Sequence, residues 1–458
     1  MALTSDLGRF LETIRYDSIP EEAVRLACLG FTDTIGVIMA GIAEPIARIV
    51  HDEIAGRPAP REARVCLSDV WVSAADAALV NGTVAHALDY DDQALTGHPS
   101  AVLVSAILAE AEFLGSSGRE MATAYVAGYE VWAELVRRNT AYHVKGWHPT
   151  SVFGVIAAAA AVAVLRQLPA ERAAAALALA ATHASGLAVN FGTMAKPYHV
   201  GMAARNGIVA ARLAAAGATA SPVAFEHHRG YLTAYSPTME ADWDSPCELG
   251  RQWHILSHRL CIKRYPTCYF MHRSFAATAE MLRERSVSPE DVEEVVVTMG
   301  RGQTAVLVNE RPQNASEARF SGHFAMATAV INGRMTVNEL SDEMVRRPDI
   351  QAFFPKVRLD PIDEYDERDP AHSPYDRVVI RLKTGETLDT GKVAKIPGHA
   401  YSPLTEEELW EKFRECTSRS HGETAARTLF DTMQRLPELA SMADLATVAG
   451  LFVQDRPG

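Results

Sequence analysis

From residue 18 to residue 216 the chain reads as one helix after another, and that run leaves few folds open to it. Ser18-Ile19-Pro20-Glu21 starts a helix that reaches about Ala40. Further blocks follow at about 43–55, 73–88, 100–115, 119–138, 150–166, 169–185 and 200–216. The breaks are marked by Gly115, Gly118, Pro169, Gly186 and Gly217. Alanine dominates several blocks, as in Ala157–Ala161 and Ala173–Ala181, and such small side chains let helices approach closely. No repeat of fixed period is visible. Near Pro266 the character changes: Val292–Met299 reads as a strand, and Arg377–Leu382 followed by Lys383-Thr384-Gly385-Glu386 reads as a hairpin. Helical segments at about 316–331 and 336–346 lie between them, and helix returns after Pro403. The fold class expected is mainly α. A large all-helical domain, 1–265 completed by 404–458, carries an inserted smaller α+β lid domain, 266–403. A length of 458 residues supports two cores.

The net charge of −13 argues against nucleic acid or an anionic membrane as partner, since both require a basic face. An anionic substrate would have to be attracted locally. The six cysteines (Cys28, Cys66, Cys247, Cys261, Cys268 and Cys416) form no Cys-x-x-Cys pair and no zinc or iron–sulfur spacing. Scattered cysteines, and a start of Met-Ala-Leu-Thr-Ser-Asp without a signal-type apolar run, lead to the expectation of a soluble cytoplasmic protein. The apolar stretch Val152–Leu165 is too short to span a bilayer.

Three basic residues stand directly before a proline that opens an apolar run: His98-Pro99, His148-Pro149 and Lys196-Pro197. A residue before proline is pushed out of the α region, and proline suits the first position of a helix. His98, His148 and Lys196 are therefore expected just outside three helix N-termini, where the positive potential suits an anion and disfavours a charged imidazole. One such pair alone would be an ordinary capped turn; three suggest a site for a carboxylate.

The segment His86-Ala87-Leu88-Asp89-Tyr90-Asp91-Asp92 brings three acids close to His98. It has neither the ligand spacing of a dedicated metal cage nor a Gly-bounded calcium loop, so no metal is expected. Asp89 and Asp92 read instead as carboxylates that orient a histidine. Lys196, His199 and Arg205 lie along one helix start, and lysine or arginine there can hold a carboxylate. Lys263-Arg264 places two cations at the expected domain junction, and Cys268 beyond them reads as a lining residue.

These segments together resemble the MmgE/PrpD family, which includes 2-methylcitrate dehydratases, cis-aconitate decarboxylases and an iminodisuccinate epimerase. The resemblance rests on Asn81-Gly82, His86–Asp92, Gly97-His98-Pro99-Ser100, Gly146–Ser151, Gly192–His199 and Lys263–Pro266, in order over most of the chain. It implies a homodimer that acts on a small carboxylate substrate without cofactor. Residue by residue, the decarboxylase site falls on Asp89, His98, His148, Lys196 and Lys263. Gln93 stands where the decarboxylases resemble one another in having Thr, Phe324 or its neighbour His323 where they have Tyr, and Cys268 where they have His. Residues around Lys196 and Cys268 resemble the epimerase.

All three reactions form a carbanion, or move a proton, at carbon next to a carboxylate, so cations must hold that carboxylate and an acid/base pair must flank the carbon. His98 and His148 are expected as the pair, Asp89 as an orienting group, Lys196 and Lys263 as charge-stabilising groups. Arg264, His199, Asp92, Gln93 and Cys268 are expected to contact substrate. A 2-methylcitrate dehydratase-like hydro-lyase is the first expectation. The alternatives are an epimerase-like isomerase, a decarboxylase-like lyase and a non-catalytic helical scaffold.

Overall fold

In a computed structural model the described residues are 3–139, 146–236, 241–283, 285, 287–366, 372–448 and 450–451. The chain divides into two units: Met1–Val189 with Ala195–Cys261 and Thr405–Gly458, and Asn190–Met194 with Ile262–Leu404. The short segment Asn190–Met194, assigned above to the helical part, thus groups with the second unit.

The first unit is helical. Its helices are α1 (Leu3–Thr13), α2 (Glu21–Gly41), α3 (Pro45–Ala55), α4 (Ala74–Ala85), α5 (Pro99–Leu114), α6 (Gly118–Arg138), α7 (Pro149–Leu165), α8 (Ala170–Ala181) and α9 (Ala195–Ala215). A two-stranded ribbon, β1 (Ala63–Arg64) with β2 (Trp71–Val72), precedes α4. Helices Glu406–Thr417, Glu423–Gln434 and Met442–Val448 complete the unit, and the first of them buries Lys412 against Asp33 of α2, Nζ to Oδ1 2.5 Å. By length and composition α2 could cross a membrane, with mean hydropathy 1.5, but 89% of that stretch is buried inside the fold.

Close approach explains the alanine and glycine content. A Cβ on Gly128 of α6 would lie 2.8 Å from the Ala157 carbonyl oxygen of α7, and one on Gly207 of α9 would lie 2.4 Å from the Ala158 Cβ. Another close crossing joins α4 to α9, where a Cβ on Gly201 would sit 2.2 Å from the Leu79 carbonyl oxygen. Helices packed this closely need glycine at the contact itself and small side chains such as alanine around it.

Proline chemistry sets two helix starts as expected: His98 and His148 are the N-caps of α5 and α7, with Pro99 and Pro149 in the first turn. Lys196 differs. Helix α9 already begins at Ala195, so Lys196 is its second residue and Pro197 its third. First-turn amides have no intrahelical acceptor, so a proline there breaks no bond.

The second unit is α+β. Its sheet runs in the order β4 (Val357–Ile362), β3 (Val292–Gly300), β5 (Arg377–Leu382), β6 (Thr387–Asp389), with β3 parallel to β4 and the other pairs antiparallel. Val295, Val297, Val378 and Ile380 pack into a core with Phe275 and Phe324. The expected helix over 316–331 is broken: Ala315–Ala318 forms one turn, and Ser321 then caps a new helix, Gly322–Ile331, by accepting from the Phe324 N–H. Of the expected helix over 336–346 only Asp342–Val345 forms.

Candidate functional site

Helix α4 ends at Ala85, and the seven residues after it turn sharply. Asp89 has φ 51°, a left-handed conformation that costs an aspartate least among charged residues. Ala94 and Gly97 then exchange both backbone hydrogen bonds, 3.0 and 2.9 Å, around Leu95 (φ 52°) and Thr96 (φ 61°). Two left-handed central residues are the pattern of a type I′ turn, which asparagine and glycine normally occupy. Trp132 Nε1 donates to the Leu95 carbonyl, 3.2 Å, and the His98 N–H donates to Thr150 Oγ1, 3.2 Å. The neighbours thus hold a strained turn in place directly before His98.

The turn delivers a buried cluster of imidazoles, carboxylates and one ammonium. Lys196 Nζ donates to Asp89 Oδ1, which lies 3.8 Å from Nε2 of both His86 and His98. His86 Nδ1 lies 2.9 Å from both carboxylate oxygens of Asp91. His98 Nδ1 donates to the Asp92 carbonyl, 2.8 Å, and lies 3.3 Å from Asp91 Oδ2. The His86 ring meets the His98 ring edge-on, centroids 4.5 Å apart, and stacks on His148 at 5.9 Å. His148 Nδ1 and His199 Nδ1 are 3.2 Å apart, one donating and the other accepting. Three helix N-termini, those of α5, α7 and α9, therefore converge on one cluster.

Burial dominates its electrostatics. It pulls His148 well below an ordinary histidine, with the Lys196 charge acting the same way. Burial lowers His86 to about 4, against the attraction of Asp91. His199 is lowered by burial and then by Lys196. Asp91 is held below the usual carboxylate range by His86 and His98, which overcome its burial. Near neutral pH His86, His148 and His199 are thus neutral, beside a lysine paired with a carboxylate. Such groups can take or give a proton and can hold an anion.

Residues 5–244 match the MmgE/PrpD N-terminal domain, and residues 265–437 match the MmgE/PrpD C-terminal domain. The chain belongs to the MmgE/PrpD family. Its relatives include the cis-aconitate decarboxylase of Homo sapiens, 28% identical over 401 residues, which are 83% of this chain and 80% of the relative. The enzyme of that name from Mus musculus is 29% identical over 83% of this chain and 79% of its own length. That from Aspergillus terreus is 24% identical over 97% of this chain and 95% of its own length. These relatives are lyases by name.

In this MmgE/PrpD protein the expected site residues part into two groups. Asp89, His98, His148, Lys196 and His199 come together as described. Asp92 adjoins them but faces away: its carboxylate accepts from Ser100 Oγ, 2.6 Å, and Ser100 in turn meets the Tyr125 hydroxyl at 2.6 Å. Burial raises Asp92 well above the ordinary carboxylate value, so only its backbone carbonyl serves His98. Gln93 pairs through its backbone with Cys261, 2.8 Å in both directions. Arg205 bonds Asp76 on α4, Nε to Oδ1 3.2 Å. Lys263, Arg264 and Cys268 belong to the second unit, where Lys263 is buried, Arg264 is exposed and Cys268 joins the core with Phe324.

Two members were not singled out in the sequence: His86 and Asp91. The segment containing them was, but nothing in the spacing tells which of its acids meets an imidazole. Together with His98 they offer three ligand atoms within 4.8 Å of one another, a grouping that could hold a metal ion and that the spacing did not reveal. A second such grouping, Glu134, Glu248 and His254, is shared with Arg137 and Arg138, which bond Glu134.

His86 makes a prediction about pH. Its folded value of about 4 lies below the ordinary 6.5, so between those values the unfolded chain binds a proton that the folded chain refuses. Stability from this group is therefore lost as pH falls. Relative to the His86→Gln variant, the wild type should lose about 3 kcal/mol of unfolding free energy between pH 6.5 and pH 4, at about 1.4 kcal/mol per pH unit. Denaturant melts of both proteins at the two pH values would measure it. A constant difference would place His86 in a solvated setting.

Proposed function

We propose that this protein is a lyase acting on a small di- or tricarboxylate by acid–base chemistry at carbon next to a carboxylate. The observation that carries the reading is the buried convergence of His98 and His148 with Lys196 and Asp89 at three helix starts. Lys196 and the helix N-termini hold a carboxylate and accept the charge that develops on the adjacent carbon. An imidazole moves the proton: His148, whose charged form is disfavoured, readily surrenders one once it is protonated. Lys263 enters this reading through the family resemblance alone.

The first substrate to test is one of the cis-aconitate kind, because relatives matched over most of their length are named for its decarboxylation. There the bond to the departing carbon dioxide breaks, its electron pair moves through the neighbouring double bond onto carbon next to a carboxylate, and a proton from an imidazolium is added to that carbon. A second reading is loss of water from a substrate of the 2-methylcitrate kind; Gln93, Phe324 and Cys268 depart from the decarboxylase pattern and weigh against decarboxylation. The same cluster would then take a proton from carbon and give one to the leaving hydroxyl.

NMR of the purified protein with a panel of cis-aconitate, 2-methylcitrate and related di- and tricarboxylates distinguishes these products. Turnover is expected with a chelator present. Loss of turnover on chelation, restored by one added metal, would replace this mechanism with one run by a metal. No turnover and no thermal stabilisation by any carboxylate would favour the scaffold reading.

A further inference from the structure

We propose that Asp91 is the positioning residue of this site: its buried carboxylate fixes His86 and His98 in the same tautomer, proton on Nδ1, and leaves Nε2 as the basic nitrogen of each. The inference rests on the proposed function in taking His98 as an acid/base. It differs from the expectation above, which gave the orienting role to Asp89.

The argument starts from hydrogen-bond inventory. An ionised carboxylate only accepts, and a neutral imidazole has one N–H and one lone pair. Both Asp91 oxygens lie 2.9 Å from His86 Nδ1, so that nitrogen carries the proton. His98 Nδ1 faces two acceptors, the Asp92 carbonyl at 2.8 Å and Asp91 Oδ2 at 3.3 Å, so it carries the proton too. The other end of each ring agrees. Nε2 of both rings stands 3.8 Å from Asp89 Oδ1, too far for a hydrogen bond. His86 Nε2 is buried and has no hydrogen-bond partner among the described residues. A lone pair facing a carboxylate oxygen forms no bond, whereas an N–H there would donate.

Asp89 is engaged elsewhere, with Lys196. When His98 takes a proton at Nε2, the imidazolium is flanked by Asp91 and Asp89, and no proton passes to Asp91. The other groups of the cluster, His86, His148 and Lys196, are neutral or cationic and oppose that charge. Asp91 is thus the carboxylate that orients both rings, in the manner of the third member of a hydrolase triad.

The test is ¹⁵N-histidine NMR of the full, ligand-free chain, with signals assigned through His86→Gln and His98→Gln. Wild-type protein should show both rings neutral and protonated at Nδ1. In Asp91→Asn the amide must present a donor toward one Nδ1 or give up a bond, so at least one ring, His86 first, should change tautomer or lose an Nδ1 hydrogen bond, seen as a shifted Nδ1 signal. In assays with a turned-over carboxylate, kcat should drop about tenfold or more with KM little changed.

An Nε2–H tautomer on either wild-type ring would overturn the proposal, and this arm needs neither a variant nor a substrate. A folded Asp91→Asn protein with unchanged tautomers and unchanged Nδ1 signals would overturn it as well. Absence of turnover with every carboxylate would count against the proposed function and leave the NMR result to decide on Asp91.

Discussion

His148→Gln should lower turnover by about a hundredfold or more, as expected for loss of a general acid or base. Glutamine keeps a polar side chain that can reach His199, so the packing beneath His86 is largely preserved while the transferable proton is lost. Lys196→Ala should lower turnover by at least as much, because it removes the charge that stabilises a developing carbanion. The second variant should also melt earlier. Its ammonium is buried against Asp89, and breaking a buried pair from one side costs about 3–5 kcal/mol. Rates should therefore be read well below the melting transition, with far-UV CD showing the helices intact. Normal turnover in either variant would remove that residue from the chemistry.

Gly201→Ala should cost both stability and activity, although Gly201 carries no functional group. An added Cβ would lie 2.2 Å from the Leu79 carbonyl oxygen and 2.3 Å from Thr83 Oγ1. Backbone cannot yield there without moving α9 away from α4. Overpacking of this kind costs about 1–3 kcal/mol. Helix α4 leads into the turn that carries Asp89, and α9 carries Lys196, so the same shift separates the buried pair. A misplacement of about 1 Å can cost about a hundredfold in rate. Gly56→Ala is the control: its Cβ would meet only the Asp52 carbonyl oxygen, at 3.6 Å. The Gly56 variant should behave as wild type. A Gly201 variant that melts and turns over like wild type would contradict the packing account.

What the sequence discloses is the local chemistry. His98 and His148 were placed at helix starts because the residue before a proline and the first helical position obey short-range rules. The helices followed from their punctuation. Strand β4 was missed because Val357-Arg358-Leu359-Asp360-Pro361-Ile362 alternates poorly and contains a proline. The strand lies at the sheet edge, where a proline costs no ladder bond on its open side. The site was legible by residue type and less so by role. Asp89, Asp91 and Asp92 are near neighbours, yet the left-handed turn at Asp89 sends one to Lys196, one to two imidazoles and one to Ser100. That sorting depends on a backbone conformation rare for aspartate and on side chains up to about a hundred residues away in sequence, which no spacing rule encodes.

The most direct measurement of the central claim is solvent isotope incorporation. The protein is incubated in D₂O with each carboxylate of the panel, and products and recovered substrates are examined by ¹H and ²H NMR. Deuterium should enter at carbon next to a carboxylate: as carbon dioxide is lost for a decarboxylase, on reversal for a dehydratase, with inversion for an epimerase. It should do so about a hundredfold or more slowly in His148→Gln. Product formed with no deuterium in product or substrate, or deuterium entering at the wild-type rate in that variant, would contradict acid–base chemistry at this cluster.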